Sequence, residues 1–275
     1  MRPVDCFIQD MIRNCLSGEV MKSRNGHKTY RALTPQIASF NETPLVSLRA
    51  TAWKNALREW EWFMSGATNI NSLDERVRHW WSPWVGEDDC VNYNYSQQFR
   101  TFNGIDGDDC WDTVDQIKYI VDGIRNNPTS RRLVATTWNA YDMTRDDCPI
   151  TNCHGTAIQF FVRDNGRLDM NMYQRSADLV LGVPHNWIQY WAFLQWVAAQ
   201  THHKVGRFVW IGGDVHVYED HLEVAKEMCQ VDQQKEWGNL DLTYNPTDVS
   251  IFRADDFAIA GEYQPLITTK LKMNV

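Results

Sequence analysis

The run from Asn186 to Gln200 is apolar almost all the way round a helical turn. A helix without a polar face has to be enclosed, so this run predicts a buried helix that the rest of the chain must surround. With 275 residues, 43% hydrophobic content and 13 tryptophans, the chain has the material for such a core. Thr156 to Val162 and Arg167 to Tyr173 read as strands on either side of Asp164-Asn165-Gly166, whose Asn-Gly step is a hairpin signal. Arg132 to Trp138 is β-branched and strand-like, and Phe208 to Ile211 reads as a strand running into Gly212-Gly213-Asp214. Helices are predicted over Leu48 to Phe63, stopped by Gly66, over Trp111 to Asn126, ended by Asn127-Pro128, and over Glu219 to Cys229. Asp74 to Arg100, rich in Trp and Tyr, reads as a loop-rich wall. Hairpins mixed with long helices favour an α+β domain (α/β in the broad sense) over a doubly wound parallel sheet, and no composition break divides residues 1–275 into more than one domain.

A net charge of −8 argues against general affinity for nucleic acid, because phosphate neutralisation needs a basic surface. It leaves room for a small anion in a local basic pocket. Seven cysteines without paired spacing do not make a disulfide framework, so a reducing cytoplasm is the expected location. Asp5, Gln9, Asp10 and Arg13 interrupt the N-terminus where a signal peptide would be apolar, and no stretch has the length of a membrane span. Asp-Asp-Cys occurs three times, ending at Cys90, Cys110 and Cys148, but without the convergent ligands that a metal needs. Acidic loops are the reading for all three, and no metal site is expected.

Within forty residues the chain carries Asn152-Cys153-His154, Gln174-Arg175-Ser176-Ala177-Asp178 and Leu181-Gly182-Val183-Pro184-His185-Asn186, a combination that points to covalent chemistry on a nucleotide. A nearby cation makes a thiol nucleophilic, and Arg175 lies across a hairpin from Cys153. Cys148 competes for the role from an acidic loop that would raise its pKa. Arg175 and Ser176 suit a phosphate monoester. Arg131 and Arg132, adjacent on a strand, would point to opposite faces, which leaves a solvated pair as the alternative to a ligand site. Asn186 is either a helix N-cap or an amide reading the edge of a uracil. His216 and Tyr218 share one side of an extended segment, where they bind a sugar hydroxyl or satisfy each other. Of Glu59 and Glu61, one is a candidate general acid or base and the other should face solvent.

These segments resemble thymidylate synthases and their nucleotide hydroxymethylase relatives, from about Arg24 to the C-terminus. The resemblance rests on Ser130-Arg131-Arg132, the Gln174–Asp178 and Leu181–Asn186 motifs, Gly212-Gly213-Asp214 with His216 and Tyr218, and Trp62-Phe63, Gly66 and Thr68-Asn69-Ile70. It implies a large twisted mixed sheet with flanking helices, packed back to back in a homodimer. It also implies 5,10-methylenetetrahydrofolate as one-carbon donor to the nucleotide. By the same resemblance, Cys153 adds to C6 of the pyrimidine, Glu59 relays protons to the ring oxygen, and Tyr95 assists at C5. Arg24, Arg175 and Ser176 would hold the phosphate together with Arg131 and Arg132 of the partner subunit. His216 and Tyr218 would take the 3′-hydroxyl and Asn186 the ring, with His154 and Gln174 among the substrate residues. Trp81, Trp84, Asp178, Gly182 and the tail ending at Val275 would contact the folate.

Departures from the family pattern bear on the product. Asn152 stands where the family has Pro, and His185 where it has Phe. The interval from Cys153 to Gln159 is one residue long, which calls for a β-bulge unless the thiol match is inexact. Gly26-His27-Lys28-Thr29, Glu59-Trp60-Glu61-Trp62 and Asn92-Tyr93-Asn94-Tyr95 resemble the hydroxymethylase branch, whereas Lys270 to Val275 resembles a synthase tail. The expectation from these segments is hydroxymethylation of dUMP, giving 5-hydroxymethyl-dUMP. Thymidylate formation is the alternative, followed by a dCMP-acting relative and a non-catalytic nucleotide-binding protein. Hydroxymethylases of this family commonly serve viral DNA modification, which would place such an enzyme in the host cytoplasm.

Overall fold

The computed structural model describes residues 2–23, 26–105, 111–145, 152–232 and 238–274. Its elements, in chain order, begin with α1 (Pro3–Leu16), β1 (Glu19–Lys22), β2 (Lys28–Arg31), β3 (Gln36–Phe40) and α2 (Trp53–Ser65). Next come α3 (Glu75–Trp81), α4 (Tyr95–Arg100), β4 (Phe102–Ile105), β5 (Trp111–Val114), α5 (Gln116–Asn126) and β6 (Val134–Ala135). The remainder is β7 (Ala157–Val162), β8 (Arg167–Asp178), α6 (Gly182–Gln200), β9 (Lys204–Tyr218), α7 (Leu222–Gln230), β10 (Asp241–Tyr244) and β11 (Phe257–Ala260).

The main sheet has seven strands in the order β1-β2-β9-β8-β7-β6, with β3 also pairing β9. Among the described residues of this sheet, only β8 and β9 run parallel; every other pair is antiparallel. The helix α6 connects these two parallel strands and packs on both. One face of β8 sends Leu168, Met170, Met172 and Gln174 inward, as period-two alternation requires. Trp187 of α6 meets Trp210 of β9 edge to face, with ring centroids 5.5 Å apart. Fully burying a large apolar side chain is worth roughly 1.5–3 kcal/mol, and the predicted buried helix contributes Trp187, Ile188, Tyr190, Phe193 and Leu194. The β7–β8 hairpin closes as expected: Gly166 takes φ +74° and donates its N–H to the Arg163 carbonyl.

The opposite face of the sheet has no helix over it among the described residues. Register places Ile37, Ile211, Tyr173 and Ala157 in one row across β3, β9, β8 and β7. Ile37 is 62% exposed, and Phe161 and Val134 lie exposed on the same face.

Several boundaries differ from the sequence reading. The helix expected from Leu48 starts at Trp53, because Leu48 to Thr51 run extended against the C-terminal segment, where Arg49 bridges Ile267 in parallel. Trp111 to Val114 is strand β5, and α5 begins after Asp115, whose carboxylate accepts the Lys118 N–H as an N-cap. The expected loop-rich wall holds α3 and α4, capped by Asp74 and Asn94. Arg131 and Arg132 sit in an exposed turn before β6 and not on a strand, so the alternation argument does not apply to them. Asn186 is not an N-cap: α6 starts four residues earlier, and Pro184 fits its first turn, where an N–H has no helical partner.

Candidate active site

The C-terminal ends of β8 and β9, the start of α6, the middle of α2 and the turn before β7 meet in one pocket. Cys153 lies in that turn, partly buried. Its Sγ is 3.3 Å from the Tyr95 hydroxyl, which also accepts the N–H of Cys153 at 2.8 Å and of His154 at 3.3 Å. The Cys153 carbonyl accepts from the N–H groups of Arg175 and Ser176, which binds the turn to β8. Gly155 in this turn takes φ +67°, and a Cβ there would come within 2.3 Å of the Tyr190 hydroxyl. β7 itself pairs with β8 in unbroken register from Ala157 to Val162, and the irregularity falls just ahead of it, where the Arg175 N–H meets the Cys153 carbonyl although that register would set Arg175 opposite Gly155. Asn152, in place of the family proline, uses its side chain to donate to the Thr137 and Tyr93 carbonyls.

Burial pushes the Cys153 thiol up, and the Tyr95 hydroxyl and the Arg175 guanidinium pull it back without cancelling the effect. The cation expected beside the thiol is therefore present but does not dominate. His154 supplies no second cation. It is 4% exposed, stacks on the Tyr95 ring at 4.1 Å, bonds the Tyr190 hydroxyl at 3.0 Å, and is held near pKa 3 by burial. Its neutral ring backs Tyr95 instead of lining the pocket. Cys148, Arg24 and Val275 lie outside the described residues.

Glu59 is the ionisable group poised near neutrality. Burial raises its carboxyl to about 7, against the lowering effect of two hydrogen bonds. Trp81 Nε1 donates to Oε1 at 2.6 Å and Gln189 Nε2 to Oε2 at 2.7 Å. Glu61 does not turn to solvent as expected; it is half-buried and accepts the Ala254 N–H at 2.8 Å, fastening α2 to the segment before β11.

Asn186 is joined to Gln174 and Gln189 by side-chain hydrogen bonds. Arg175 lies over the Trp138 ring at 5.1 Å and reaches the Asn152 carbonyl. Ser176 is half-buried on the next position of β8. His216 and Tyr218 project from the same side of β9 with rings 5.0 Å apart, and His216 Nδ1 lies 3.1 Å from the Asp214 carbonyl.

An aromatic wall of Trp80, Trp81 and Trp84 borders the pocket, with Trp80 edge-on to His185 at 5.6 Å. His185 is kept neutral, near pKa 4, by burial. Asp178 Oδ1 accepts the Val180 and Leu181 N–H groups ahead of Gly182. Burial pushes that carboxyl up, but His221 and His216 hold it below its usual value. His221 in turn bonds the Lys272 carbonyl at 2.9 Å, so the C-terminal tail is anchored beside Asp178. An aromatic wall, the Asp178 carboxylate and a docked tail fit a pterin-bearing cofactor. Sequence reasoning passed over Gln189 and His221. The available signal for Gln189 was an amide inside an apolar helix, three residues from Asn186 and hence on the same face.

These parts bring a thiol, a carboxyl near neutrality, a guanidinium and a buried amide to one place. The chain matches the family model described as Thymidylate synthase over residues 7–275. It is 33% identical, over 270 residues and 97% of each chain, to a protein named thymidylate synthase from Corynebacterium aurimucosum. The chain belongs to the thymidylate synthase family. That family carries out folate-dependent transfer to C5 of pyrimidine nucleotides, with 5,10-methylenetetrahydrofolate as one-carbon donor.

Proposed function

We propose that the protein methylates dUMP at C5, giving dTMP and dihydrofolate. The observation that carries the reading is one pocket in which a partly exposed thiol, a carboxyl near pKa 7 and a buried amide lie together. Cys153 adds to C6 while Tyr95 holds its sulfur and, as a neutral phenol, orients the water that takes the C5 proton. Glu59 passes a proton to the ring oxygen; help of this kind is typically worth about 10²–10⁴ in rate. Arg175 and Ser176, with Arg24, bind the 5′-phosphate. His216 and Tyr218 bind the 3′-hydroxyl, and Asn186 reads the uracil edge. Trp81, Trp84, Asp178 and Gly182, with the C-terminal tail, would hold the folate, which when bound would supply the methylene and the hydride.

The exposed apolar sheet face around Ile37 and Ile211 supports a homodimer packed sheet to sheet. Arg131 and Arg132, in an exposed turn at that sheet's β6 edge, would then serve the partner's phosphate. A cytoplasmic location goes with this chemistry; no described helix is long and apolar enough to cross a membrane.

The hydroxymethyl product expected from three local segments gives way to thymidylate. The relative at 33% identity carries the synthase name, and the docked tail supports a site closed to water. The test is incubation of purified protein with dUMP and methylenetetrahydrofolate, with mass spectrometry of the nucleotide and absorbance of the folate. Equal yields of dTMP and dihydrofolate are expected, and none from Cys153→Ser. 5-Hydroxymethyl-dUMP with tetrahydrofolate would reinstate the hydroxymethylase reading.

A further inference from the structure

A carboxamide can turn end for end, so an isolated asparagine can offer its donor and acceptor in either order. Asn186 is not isolated. Gln174 Nε2 donates to Asn186 Oδ1 at 3.0 Å, and Asn186 Nδ2 donates to Gln189 Oε1 at 3.2 Å. Both glutamines are oriented by groups whose polarity is unambiguous. The Trp210 indole N–H, which can only donate, meets Gln174 Oε1 at 2.9 Å, and the Ser176 carbonyl, which can only accept, takes Gln174 Nε2 at 3.0 Å. On the other side, Gln189 Nε2 meets the Ala56 carbonyl at 3.0 Å as well as Glu59. Gln174 is 1%, Asn186 8% and Gln189 0% exposed, so water does not substitute for these partners. Turning the Asn186 amide would set its NH₂ against that of Gln174 and its oxygen against that of Gln189.

We propose that Gln189, acting with Gln174 and Trp210, is a positioning residue that locks the Asn186 amide and thereby restricts the pocket to one pyrimidine edge. The inference rests on the reading of the pocket as a pyrimidine nucleotide site. Asn186 keeps one N–H and one lone pair for the ligand. A 4-oxo ring with N3–H and a 4-amino ring with bare N3 require them in opposite order, and a locked amide serves only one of the two. The same chain ends on Glu59 Oε2, so base recognition and the proton-carrying carboxyl share one hydrogen-bonded unit.

The test compares wild type, Gln189→Leu and Trp210→Phe, each checked for folding by circular dichroism and thermal melting. Equilibrium binding of dUMP and dCMP is measured together with the kcat/KM for folate-dependent tritium release from C5 of each. Wild type is expected to prefer dUMP. Gln189→Leu frees the amide to turn, and the dCMP-to-dUMP ratio should rise by about tenfold or more, the scale of one lost buried hydrogen-bond partner. Trp210→Phe removes a single N–H at the far end of the chain and should move the ratio in the same direction. The change should lie mainly in KM. A folded Gln189→Leu or Trp210→Phe that loses activity on both nucleotides equally, with the ratio unmoved, overturns the lock while leaving the nucleotide reading intact. Wild type that binds neither nucleotide overturns that reading, and the lock with it.

Discussion

Tyr95→Phe isolates what one hydroxyl does. The ring would keep its stacking on His154, 4.1 Å away and nearly parallel, so packing changes little. What disappears is the acceptor for two backbone donors, the N–H of Cys153 at 2.8 Å and of His154 at 3.3 Å. Tyr95 is 3% exposed and His154 4%, so little water can reach the orphaned groups. An unsatisfied buried donor costs about 1–3 kcal/mol. One of the two bonds is long, so the sum is about 2–4 kcal/mol. Urea denaturation at a fixed protein concentration reads this directly, and the concentration is held because the stability of the proposed dimer would depend on it. The same substitution removes a hydrogen bond that draws the Cys153 pKa down, so alkylation of Cys153, followed peptide by peptide, should need higher pH than in wild type. Stability within about 0.5 kcal/mol of wild type, with an unshifted alkylation profile, would refute the account of Tyr95 as the clamp on the catalytic turn.

Glu59 should leave its mark on both pH profiles. The unfolded chain ionises this carboxyl near 4.5 and the folded chain near 7, so the native state binds the extra proton in between, and stability falls as pH rises through that window. At about 1.4 kcal/mol per pH unit the full loss is roughly 3 kcal/mol above pH 7, and Glu59→Gln should abolish that slope. As a proton donor to the ring, Glu59 should make kcat/KM decline on the alkaline side of about 7, a limb missing in Glu59→Gln. Ile211→Glu places a charge in the exposed apolar row with Ile37 and should give monomers by light scattering. Persisting dimers would move the interface elsewhere.

Where local chemistry decides structure, the sequence was readable. Asn165-Gly166 closed the hairpin, and the apolar run after Asn186 became the buried helix. The arginine-serine step on β8 landed beside the thiol. Legibility failed where tertiary partners override local pattern. Leu48 continues the helical spacing of α2 backwards, yet the C-terminal segment draws it into extended pairing. Trp111 continues that of α5, but the cap at Asp115 cuts the helix off. In sequence, His154 falls among the substrate residues because it adjoins Cys153. Only the fold shows it enclosed by Trp60, Phe63, Tyr95 and Tyr190, where a charge has no counter-ion. Gln189 gains meaning only from Glu59, which is 130 residues away in sequence.

The proton inventory of the pocket now constrains the order of events. Burial drives each of its central groups toward its neutral form: the Cys153 thiol upward, the Glu59 carboxyl to about 7, His154 to about 3. Tyr95 and Tyr190 are pushed well above their ordinary values and cannot take up a proton at neutral pH. Adding a thiol across C5 and C6 of uracil removes one proton from sulfur and places one on O4, so the step creates no net charge if both transfers are coupled. Glu59 is suited to that exchange, because near pH 7 it can give a proton and accept one with equal ease. A pocket that kept a permanent thiolate would instead need a counter-cation close enough to outweigh desolvation, and Arg175 does not reach that balance. The low polarity that raises the thiol's pKa also raises that of the Glu59 carboxyl, and on the proposed function the two would act as one proton-neutral unit.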